Sequence, residues 1–349
     1  MQYVGVDHHK KFSYLSVMNE KGTVVKEGRI NNTKEALSRF LGSSQEPKSA
    51  VLEAGRNWTV MYDWLEEELD EVKLANPRKV KAIAEAKIKT DKIDATILAH
   101  LLRSDLIPEA YVPKAETRII KNILRQRMFF VKLSSMTKNR IHNILDRHPK
   151  LRGQIDPSDL FGKQGLEWLL KVDLPKEDKR LLDEQLDLLS YLTDKIKSSN
   201  QVVEKLGLKD KRVKLLMTIP GIGKFFALLI ASEIDNIQRF RNKDKLASYA
   251  GLIPSVHSSA DKTFYGKIVN HGNRHLRWAL IEAVWPAIRK DLHLRSVYQK
   301  IKQHKNANIA KVAVARRLSI IVYRVLSENR TYITNYSGCP HNSLAVANN

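Results

Sequence analysis

Residues 3–30 read YVGVDHHKKFSYLSVMNEKGTVVKEGRI, and this stretch decides the fold of the first part of the chain. It holds three short apolar runs separated by polar and turn-forming residues such as Gly22. The runs are Tyr3–Val6, Phe12–Met18 and Val24–Ile30. Apolar runs of this length between turn residues predict β-strands. The stretch therefore predicts an antiparallel meander of three strands, the first of which ends at Asp7.

Helices and strands alternate after the meander. The pattern predicts a helix capped by Asn31–Thr33 and ending near Leu41, a buried strand Ala50–Leu52 ending at Glu53, a helix Asn57–Leu69, a strand Val72–Ala75, and a helix from Asp91 to about Ser104 with Thr90 as its N-cap. This alternation predicts an α/β domain.

The middle of the chain has the pattern of long helices. From Ala115 to Arg147 there is no Gly or Pro, and apolar residues recur at helical spacing. The polar face of this predicted helix is basic, with ten Lys and Arg against two acids between Glu116 and Arg152. A second amphipathic run, Lys176–Leu206, predicts another helix. We expect the two to pair as an antiparallel coiled-coil hairpin.

A glycine turn opens the last third of the chain. Residues 215–224 read LLMTIPGIGK, and an apolar helix is predicted over Phe225–Ile234. The arrangement resembles a helix-hairpin-helix, whose turn offers the backbone of Gly221 and Gly223, and Lys224, to a phosphate. A tight helix–helix turn in a packed core explains the spacing equally well. The predicted fold class of the whole chain is α/β plus all-α.

The composition limits the class of protein. Of 349 residues, 43% are hydrophobic and 28% are charged, which is typical of a folded globular chain. The single cysteine, Cys339, excludes a disulfide framework and a thiolate zinc site. The longest apolar run, Phe225–Ala231, is far shorter than the roughly 20 residues of a spanning helix. With no signal-peptide pattern at the N-terminus, we expect a cytoplasmic protein without a membrane partner.

The charge is distributed unevenly. The chain has 60 Lys and Arg against 38 Asp and Glu, a formal net charge of +22. Residues 1–104 carry +2 of it and residues 105–349 carry +20. A basic surface neutralises phosphates and releases their condensed counterions, so the excess favours nucleic-acid binding over a purely solubilising charge.

Four carboxylates stand where they can converge. Asp7 and Glu53 each end a buried strand, the position from which a parallel or mixed sheet presents ligands. Asp91 and Asp94 lie three residues apart on one helix face. Oxygen ligands select Mg²⁺ or Mn²⁺, and two such ions about 4 Å apart can activate an attacking oxygen and stabilise a leaving one. The set forms a ribonuclease-H-like nuclease layout.

Each acid alone also has an ordinary structural explanation. Asp91 fits a first-turn partner of the helix dipole, Asp94 fits a salt bridge to a lysine, and an Asp at a strand end is usually a turn former. Only the combination indicates a metal site. His8 and His9 follow Asp7, but their place at the start of a hairpin favours a turn role over metal ligation.

Residues 249–277 read YAGLIPSVHSSADKTFYGKIVNHGNRHLR, a segment dense in small and basic residues. Its serines Ser255, Ser258 and Ser259 are ordinary loop hydroxyls, or one of them is a nucleophile beside cations that stabilise phosphorane charge. The candidate cations are Lys262, Lys267, Arg274 and Arg277. Composition does not choose among the three serines.

Taken in order, the motifs of this chain resemble those of a known family. They are Gly5-x-Asp7, Glu53-Ala54-x-x-x-Trp58, Lys89-Thr90-Asp91-x-x-Asp94-Ala95, Ile219-Pro220-Gly221-Ile222-Gly223, Tyr249-x-Gly251-Leu252-x-Pro254 and Gly272-Asn273-x-x-Leu276-Arg277. The pattern is similar to that of the DEDD transposases of insertion-sequence family one-hundred-and-ten. It extends from Tyr3 to about Arg330.

The resemblance implies a domain plan and a metal site. The plan is a Holliday-junction-resolvase-like ribonuclease H domain over residues 1–110, a coiled-coil linker over 111–206, a mainly helical transposase domain over 207–332 and a tail over 333–349. In the family the four acids bind Mg²⁺, with Mn²⁺ as a substitute, and here they fall on Asp7, Glu53, Asp91 and Asp94.

The resemblance also implies a serine nucleophile that forms a transient phosphoserine link to DNA. The family motif is Pro, four residues, Ser, Gly. Counted from Pro254 it gives Ser259, with Ala260 in place of the glycine, and it leaves Ser258 as the second candidate.

Members of this family work as tetramers with a structured non-coding bridge RNA that pairs with donor and target double-stranded DNA. We therefore expect a homo-oligomer, a dimer or a tetramer. Basic residues such as Arg125, Lys132 and Arg140 on the long helix would hold nucleic-acid backbones while base pairing reads the target.

Three functions are compatible with these features. The main hypothesis is an RNA-guided DNA recombinase, cytoplasmic and associated with the nucleoid, that uses the acids and a serine. The second is a metal-dependent junction resolvase or nuclease that uses the four acids alone. The third is a nucleic-acid-binding protein whose acids are structural.

Overall fold

The computed structural model describes residues 1–42, 46–55, 57–84, 90–151, 159–259, 262–269 and 271–333. The chain divides into two compact units, residues 1–113 and 114–349. In the described part of the chain, no helix has both the length and the apolar character needed to cross a membrane.

The described residues of the first unit form a five-stranded sheet and four helices. Its elements are β1 (Gln2–His8), β2 (Phe12–Met18), β3 (Val24–Asn31), α1 (Lys34–Leu41), β4 (Lys48–Glu53), α2 (Trp58–Glu68), β5 (Glu71–Ala75), α3 (Pro77–Ile83) and α4 (Asp91–Arg103). The strand order is β3-β2-β1-β4-β5. The first three strands are antiparallel, whereas β4 is parallel to β1 and β5 is parallel to β4. The predicted meander and the alternation after it are confirmed.

Helices cover both faces of this sheet. On one face Leu37 of α1 and Met61 and Leu65 of α2 pack with strand residues, and none of the three is exposed. On the other face Val80 of α3 and Leu98 of α4 pack against Val51 of β4. A parallel strand between two helical layers is buried on both faces. This explains the continuous apolar run at Ala50–Leu52.

The second unit is mainly helical, and its described residues include one small hairpin. Its elements are α5 (Ala115–Asp146), α6 (Lys163–Lys171), α7 (Lys176–Lys209), α8 (Lys211–Leu216), α9 (Lys224–Ile234), α10 (Lys243–Tyr249), β6 (Pro254–Ser259), β7 (Lys262–Ile268), α11 (Arg274–Glu282), α12 (Val284–Lys290), α13 (Leu292–His304) and α14 (Ala307–Ser327).

The two long helices α5 and α7 pack against each other in antiparallel directions. Near one end His148, just beyond α5, contacts Asp178 at 2.8 Å, and farther along Arg127 donates to Asn200 at 2.6 Å. Between these contacts Ile141 of α5 and Leu186 of α7 share one apolar cluster. The predicted antiparallel helix pair is therefore present.

The apolar helix α9 lies in the core of the second unit. Its residues 227–234 are all buried, and it packs against α7, α8 and α11. Before it, Gly221 has a φ of +89°, and a Cβ there would lie 2.3 Å from the Ala283 carbonyl oxygen. Only glycine fits both the left-handed backbone and this close approach. The glycine turn is thus required by packing.

The hairpin of β6 and β7 was not anticipated from the sequence. The strands are antiparallel, with Ser259 paired to Lys262 and His257 paired to Phe264. Strand prediction relies on alternating apolar residues, and the serines and lysines of this segment obscure that pattern. Residues 254–259 and 262–268 of this segment are therefore paired strands.

Candidate functional site

Gly5 allows helix α4 to lie directly against strand β1. A Cβ on Gly5 would be 1.9 Å from the Ala95 carbonyl oxygen and 2.6 Å from the Ala99 nitrogen. The helix begins at Asp91, where the Thr90 hydroxyl caps it by accepting from the Ile93 amide at 3.2 Å. This close approach brings the first turn of α4 to the end of β1.

The acids meet at the carboxyl ends of β1 and β4. These strands are parallel neighbours whose last paired residues are Val6 and Leu52, so Asp7 and Glu53 follow at the same edge. Both line one cleft of about 590 Å³, together with Asp91 and Asp94. The structure therefore brings the four predicted carboxylates to one cleft.

His9 also belongs to this cleft, although the sequence favoured a turn role for it. Its Nε2 lies 3.1 Å from Oδ2 of Asp7 and 3.1 Å from Oδ1 of Asp91. His8 instead contacts the Ser13 hydroxyl at 2.8 Å and does not line the cleft. Only the two-residue spacing from Asp7 could have indicated His9.

The electrostatics of the cleft favour a cation. Burial raises the pKa of Asp7, His9 lowers it, and the nearby carboxylates of Asp94 and Asp91 raise it further, with a net upward shift. Single ligand atoms of Asp7, His9 and Asp91 all lie within 4.8 Å of one another. Ligands at 2.0–2.6 Å from one Mg²⁺ or Ca²⁺-sized ion are separated by about this distance, so the donor set fits a divalent cation.

The serine candidates lie on the hairpin of the second unit. Ser258 pairs in backbone register with Thr263, and Ser259 with Lys262. The side chains of residues 256–259 and of Lys262, and the whole of Ala260, lie outside the described residues. Ser255 is half-buried, and a Cβ on Gly266 would come within 2.3 Å of its Oγ. Ser255 therefore packs against the facing strand.

Two of the quoted motifs interlock at the base of this hairpin. A Cβ on Gly272 would lie 2.8 Å from the Gly251 Cα, and both glycines have positive φ. Arg277 donates to the carbonyl oxygens of Ala250 at 3.0 Å and His271 at 2.5 Å. Arg277 thus fixes the two chain segments that enter and leave the hairpin.

Glu233 ties this base to the long helix α5. The carboxylate is 1% exposed, accepts from the Asn273 amide at 2.8 Å, and lies 3.3 Å from both Lys121 and Arg125. Burial raises the pKa of Glu233, but Lys121, Asn273 and Arg125 outweigh burial and hold the pKa below its usual value. Glu233 is the sole acid of the apolar helix α9, and this was its only sequence signal.

The predicted nucleic-acid contacts have different surroundings. Exposed cations are found on α5, on β7 and at the start of α11, namely Lys132, Arg140, Lys267 and Arg274. Lys224 forms an ion pair with Glu204. Gly223 is exposed at the N-cap of α9, and a Cβ there would meet nothing within 4 Å. Gly223 and these cations are accessible to a phosphate.

Two family models match the chain. A DEDD transposase model of the IS110 type matches residues 4–149, and the model described as the transposase IS116/IS110/IS902 family matches residues 213–299. Together they cover parts of both structural units and more than half of the chain.

Curated relatives are similar over most of their length. The chain is 26% identical to a "Probable family 20 transposase" of Pseudomonas aeruginosa, over 75% of this chain and 78% of the relative. It is 27% identical to the pilin gene-inverting protein of Moraxella bovis, over 81% of each. It is 24% identical to the transposase for insertion sequence element IS1111A of Coxiella burnetii, over 95% of this chain and 91% of the relative.

Proposed function

Since the chain belongs to the IS110/IS116 family of transposases, whose work is the cutting and rejoining of DNA, we propose that it is an RNA-guided recombinase. In this proposal it acts on double-stranded donor and target DNA through the four acids and Ser259. The observation that carries the proposal is the convergence of Asp7, Glu53, Asp91 and Asp94 on one cleft.

The first unit would supply the metal chemistry. Asp7, Glu53, Asp91 and Asp94 would hold Mg²⁺ or Mn²⁺, and His9 would add a nitrogen donor, which Mn²⁺ tolerates better. When bound, such ions polarise the phosphodiester and stabilise the attacking and leaving oxygens. The ribonuclease-H-like assignment belongs to this proposal, supported by a meander followed by parallel strands with acids at the ends of β1 and β4.

The second unit would supply the nucleophile. The Ser259 oxygen attacks the phosphorus of one strand, a new phosphoserine ester bond forms, and the bond from phosphorus to a sugar oxygen breaks. That sugar oxygen leaves as a hydroxyl and carries the proton released by the serine. Attack by the hydroxyl of another strand reverses the step and frees Ser259, so joining needs no external energy source. Ser258 is the second candidate.

Guidance by RNA accounts for the charge distribution. The excess of +20 lies in residues 105–349, where Lys132, Arg140 and Arg274 are exposed. In RNA-guided systems base pairing reads the sequence and the protein holds backbones, for which exposed cations suffice. A homodimer or homotetramer with a structured guide RNA would present two DNA molecules together.

A second function, that of a metal-dependent junction resolvase, is favoured by one observation. All members of the acid cluster lie within the first unit, so strand hydrolysis does not require the serine. A resolvase of this kind releases hydrolysed ends and forms no covalent link between protein and DNA.

A plasmid recombination assay tests the proposal. Asp91→Ala and Ser259→Ala should each abolish joining of donor and target plasmids in the presence of guide RNA and Mg²⁺. The matched control is Glu66→Ala, an exposed acid of α2, which should recombine normally. Ser258→Ala decides between the two serine candidates, and it should recombine if Ser259 is the nucleophile. If Asp91→Ala and Ser259→Ala still recombine the plasmids, the proposed mechanism is wrong. If the parent chain and Ser259→Ala both cut the plasmids without joining them, and only Asp91→Ala fails to cut, the resolvase mechanism is favoured.

A further inference from the structure

A cleft of about 570 Å³ opens in the second unit beside α5 and α11. Cations from both helices line it, namely Arg125, Arg127, Lys132 and Arg274. None of its lining residues that the structure describes is acidic. The cleft is therefore a positively charged site, separate from the acid cluster of the first unit.

Aromatic side chains line the same cleft. Trp278 of α11 is 37% exposed, and Phe129 of α5 is 52% exposed. The Trp278 ring packs edge-on against Phe226, with ring centroids 5.2 Å apart, and the Phe225 ring lies 6.3 Å away. These contacts hold Trp278 in place while part of its ring remains accessible from the cleft.

Two of the four charged side chains, those of Arg125 and Arg127, are also held in position. Arg125 lies 3.3 Å from the buried carboxylate of Glu233, and the Arg127 guanidinium stacks 4.0 Å from the Phe225 ring centroid. Arg274 follows Asn273, the N-cap of α11. A site whose side chains are already ordered loses less entropy when a ligand binds.

We propose that this cleft binds a nucleotide whose base is unpaired, with the base on the Trp278 and Phe129 rings and its phosphates on Arg125, Lys132 and Arg274. In a duplex both faces of each base are covered by neighbouring bases, so a duplex can contact the cations but not the rings. A single strand can use both, which is the combination found in proteins that bind single-stranded nucleic acid.

The inference rests on the proposed function, because it takes nucleic acid as the ligand. A nucleotide with an unpaired base can belong to an unpaired segment of the guide RNA or to a DNA strand opened at the cut site. The His275 ring lies at the edge of the cleft, where it can meet a base edge. Burial lowers the pKa of His275, Glu233 opposes that shift, and Arg125, Arg274 and Lys121 add to it.

Fluorescence anisotropy on the full chain without divalent cations tests the cleft. The probes are oligo(U) and oligo(dT) of about 16 nucleotides, and a mixed-sequence duplex of the same length. Phe129→Ala should weaken binding of a single strand about tenfold, the effect of one stacked base, and leave duplex binding unchanged. The salt dependence of single-strand binding should be the same for Phe129→Ala as for the parent chain, because no phosphate contact is lost.

A matched control and a second variant complete the experiment. Tyr191→Ala removes an exposed aromatic ring of α7, 56% exposed and outside the cleft, and should bind every probe like the parent chain. Trp278→Leu should weaken single-strand binding as Phe129→Ala does. Tighter binding of oligo(U) assigns the cleft to the guide, and tighter binding of oligo(dT) assigns it to the opened DNA strand.

Equal losses for duplex and single strand, or no loss in either ring variant, would overturn the proposal for the cleft. The outcome is independent of recombination. If the parent chain joins plasmids but both ring variants bind single strands normally, the proposal for the cleft is wrong and the proposed function stands. If the parent chain does not recombine plasmids but Phe129→Ala weakens single-strand binding, the proposed function is wrong and the proposal for the cleft is supported.

Discussion

Gly5 is the residue at which the sheet and helix α4 come closest. A Cβ there would lie 1.9 Å from the Ala95 carbonyl oxygen and 2.6 Å from the Ala99 nitrogen. Both atoms belong to the backbone of α4, so no change of side-chain rotamer can make room for the added atom. The residue two positions before Asp7 is thus glycine for a packing reason. The distance from Asp7 to the first turn of α4 depends on it.

Gly5→Ala should therefore destabilise the chain by about 3 kcal/mol, the upper part of the range for overpacked cores, and reduce recombination. Urea unfolding monitored by circular dichroism measures the change. Gly55→Ala is the control, since a Cβ there meets only the Glu53 carbonyl oxygen at 3.9 Å. It should change the free energy of unfolding by about 0.5 kcal/mol or less. Equal stability of the two variants would contradict the close packing.

We expect the ionised carboxylate of Asp7 to lower the stability of the fold while recombination requires it. Burial raises the pKa of folded Asp7, His9 lowers it, and Asp94 and Asp91 raise it further, with a net upward shift. The ionised carboxylate therefore lowers the free energy of unfolding at neutral pH. This destabilisation disappears as the pH falls and Asp7 is protonated. Asp7→Asn should raise the thermal midpoint and abolish recombination. Mg²⁺ or Mn²⁺ should raise the midpoint of the parent chain by ligand linkage but not that of the variant. A lower midpoint for Asp7→Asn would contradict this account.

At the level of elements, the hairpin of β6 and β7 depends on a base built from distant parts of the chain. Gly251 and Gly272 touch, Arg277 binds the segments on both sides, and Asn273 links them to Glu233. The buried Glu233 carboxylate lies between Lys121 of α5 and the start of α11. The position of the serine hairpin relative to α5 is therefore fixed through one acid.

Glu233→Gln should destabilise the chain by about 3 kcal/mol, since it leaves the buried Lys121 without a countercharge. The exposed pair of Glu204 and Lys224 provides the control, and Glu204→Gln should cost about 0.5 kcal/mol or less. Urea unfolding at neutral pH compares the variants. Equal costs would contradict the role of Glu233.

The pH dependence gives a second measure of Glu233. Its folded pKa is lowered, so the stability it contributes is complete above the unfolded value of about 4.3 and is lost as the pH falls through the folded pKa. The difference between the parent chain and Glu233→Gln should shrink when unfolding is measured below about pH 4. A difference that is constant with pH would show that the carboxylate is not ionised in the fold.

The sequence predicted elements where the hydrophobic pattern was regular. The meander, α4 with its Thr90 cap, the long helix α5 and the apolar helix α9 all follow from spacing. It missed β6 and β7, whose serines and lysines conceal the strand pattern, and it favoured a turn role for His9. The role of Glu233 was also missed, because a single acid in an apolar helix does not indicate which distant residues it pairs with.

For the whole molecule, the charge division predicts where nucleic acid binds. Lys132 and Arg140 are exposed on α5, so Lys132→Gln and Arg140→Gln should each reduce the slope of log affinity against log salt by roughly 0.7–0.9. Arg180 of α7, which pairs with Glu177 and Glu184, is the control, and Arg180→Gln should leave the slope unchanged. Equal slopes for all three variants would place the nucleic acid elsewhere.

Trapping of a covalent protein–DNA adduct tests the central claim most directly. The parent chain, incubated with guide RNA, donor DNA and Mg²⁺ and then denatured, should yield an adduct whose tryptic peptide carries the DNA phosphate on Ser259. Ser259→Ala and Asp91→Ala should yield none. Recombination by the parent chain without any adduct, or an adduct that persists in Ser259→Ala, would contradict the account.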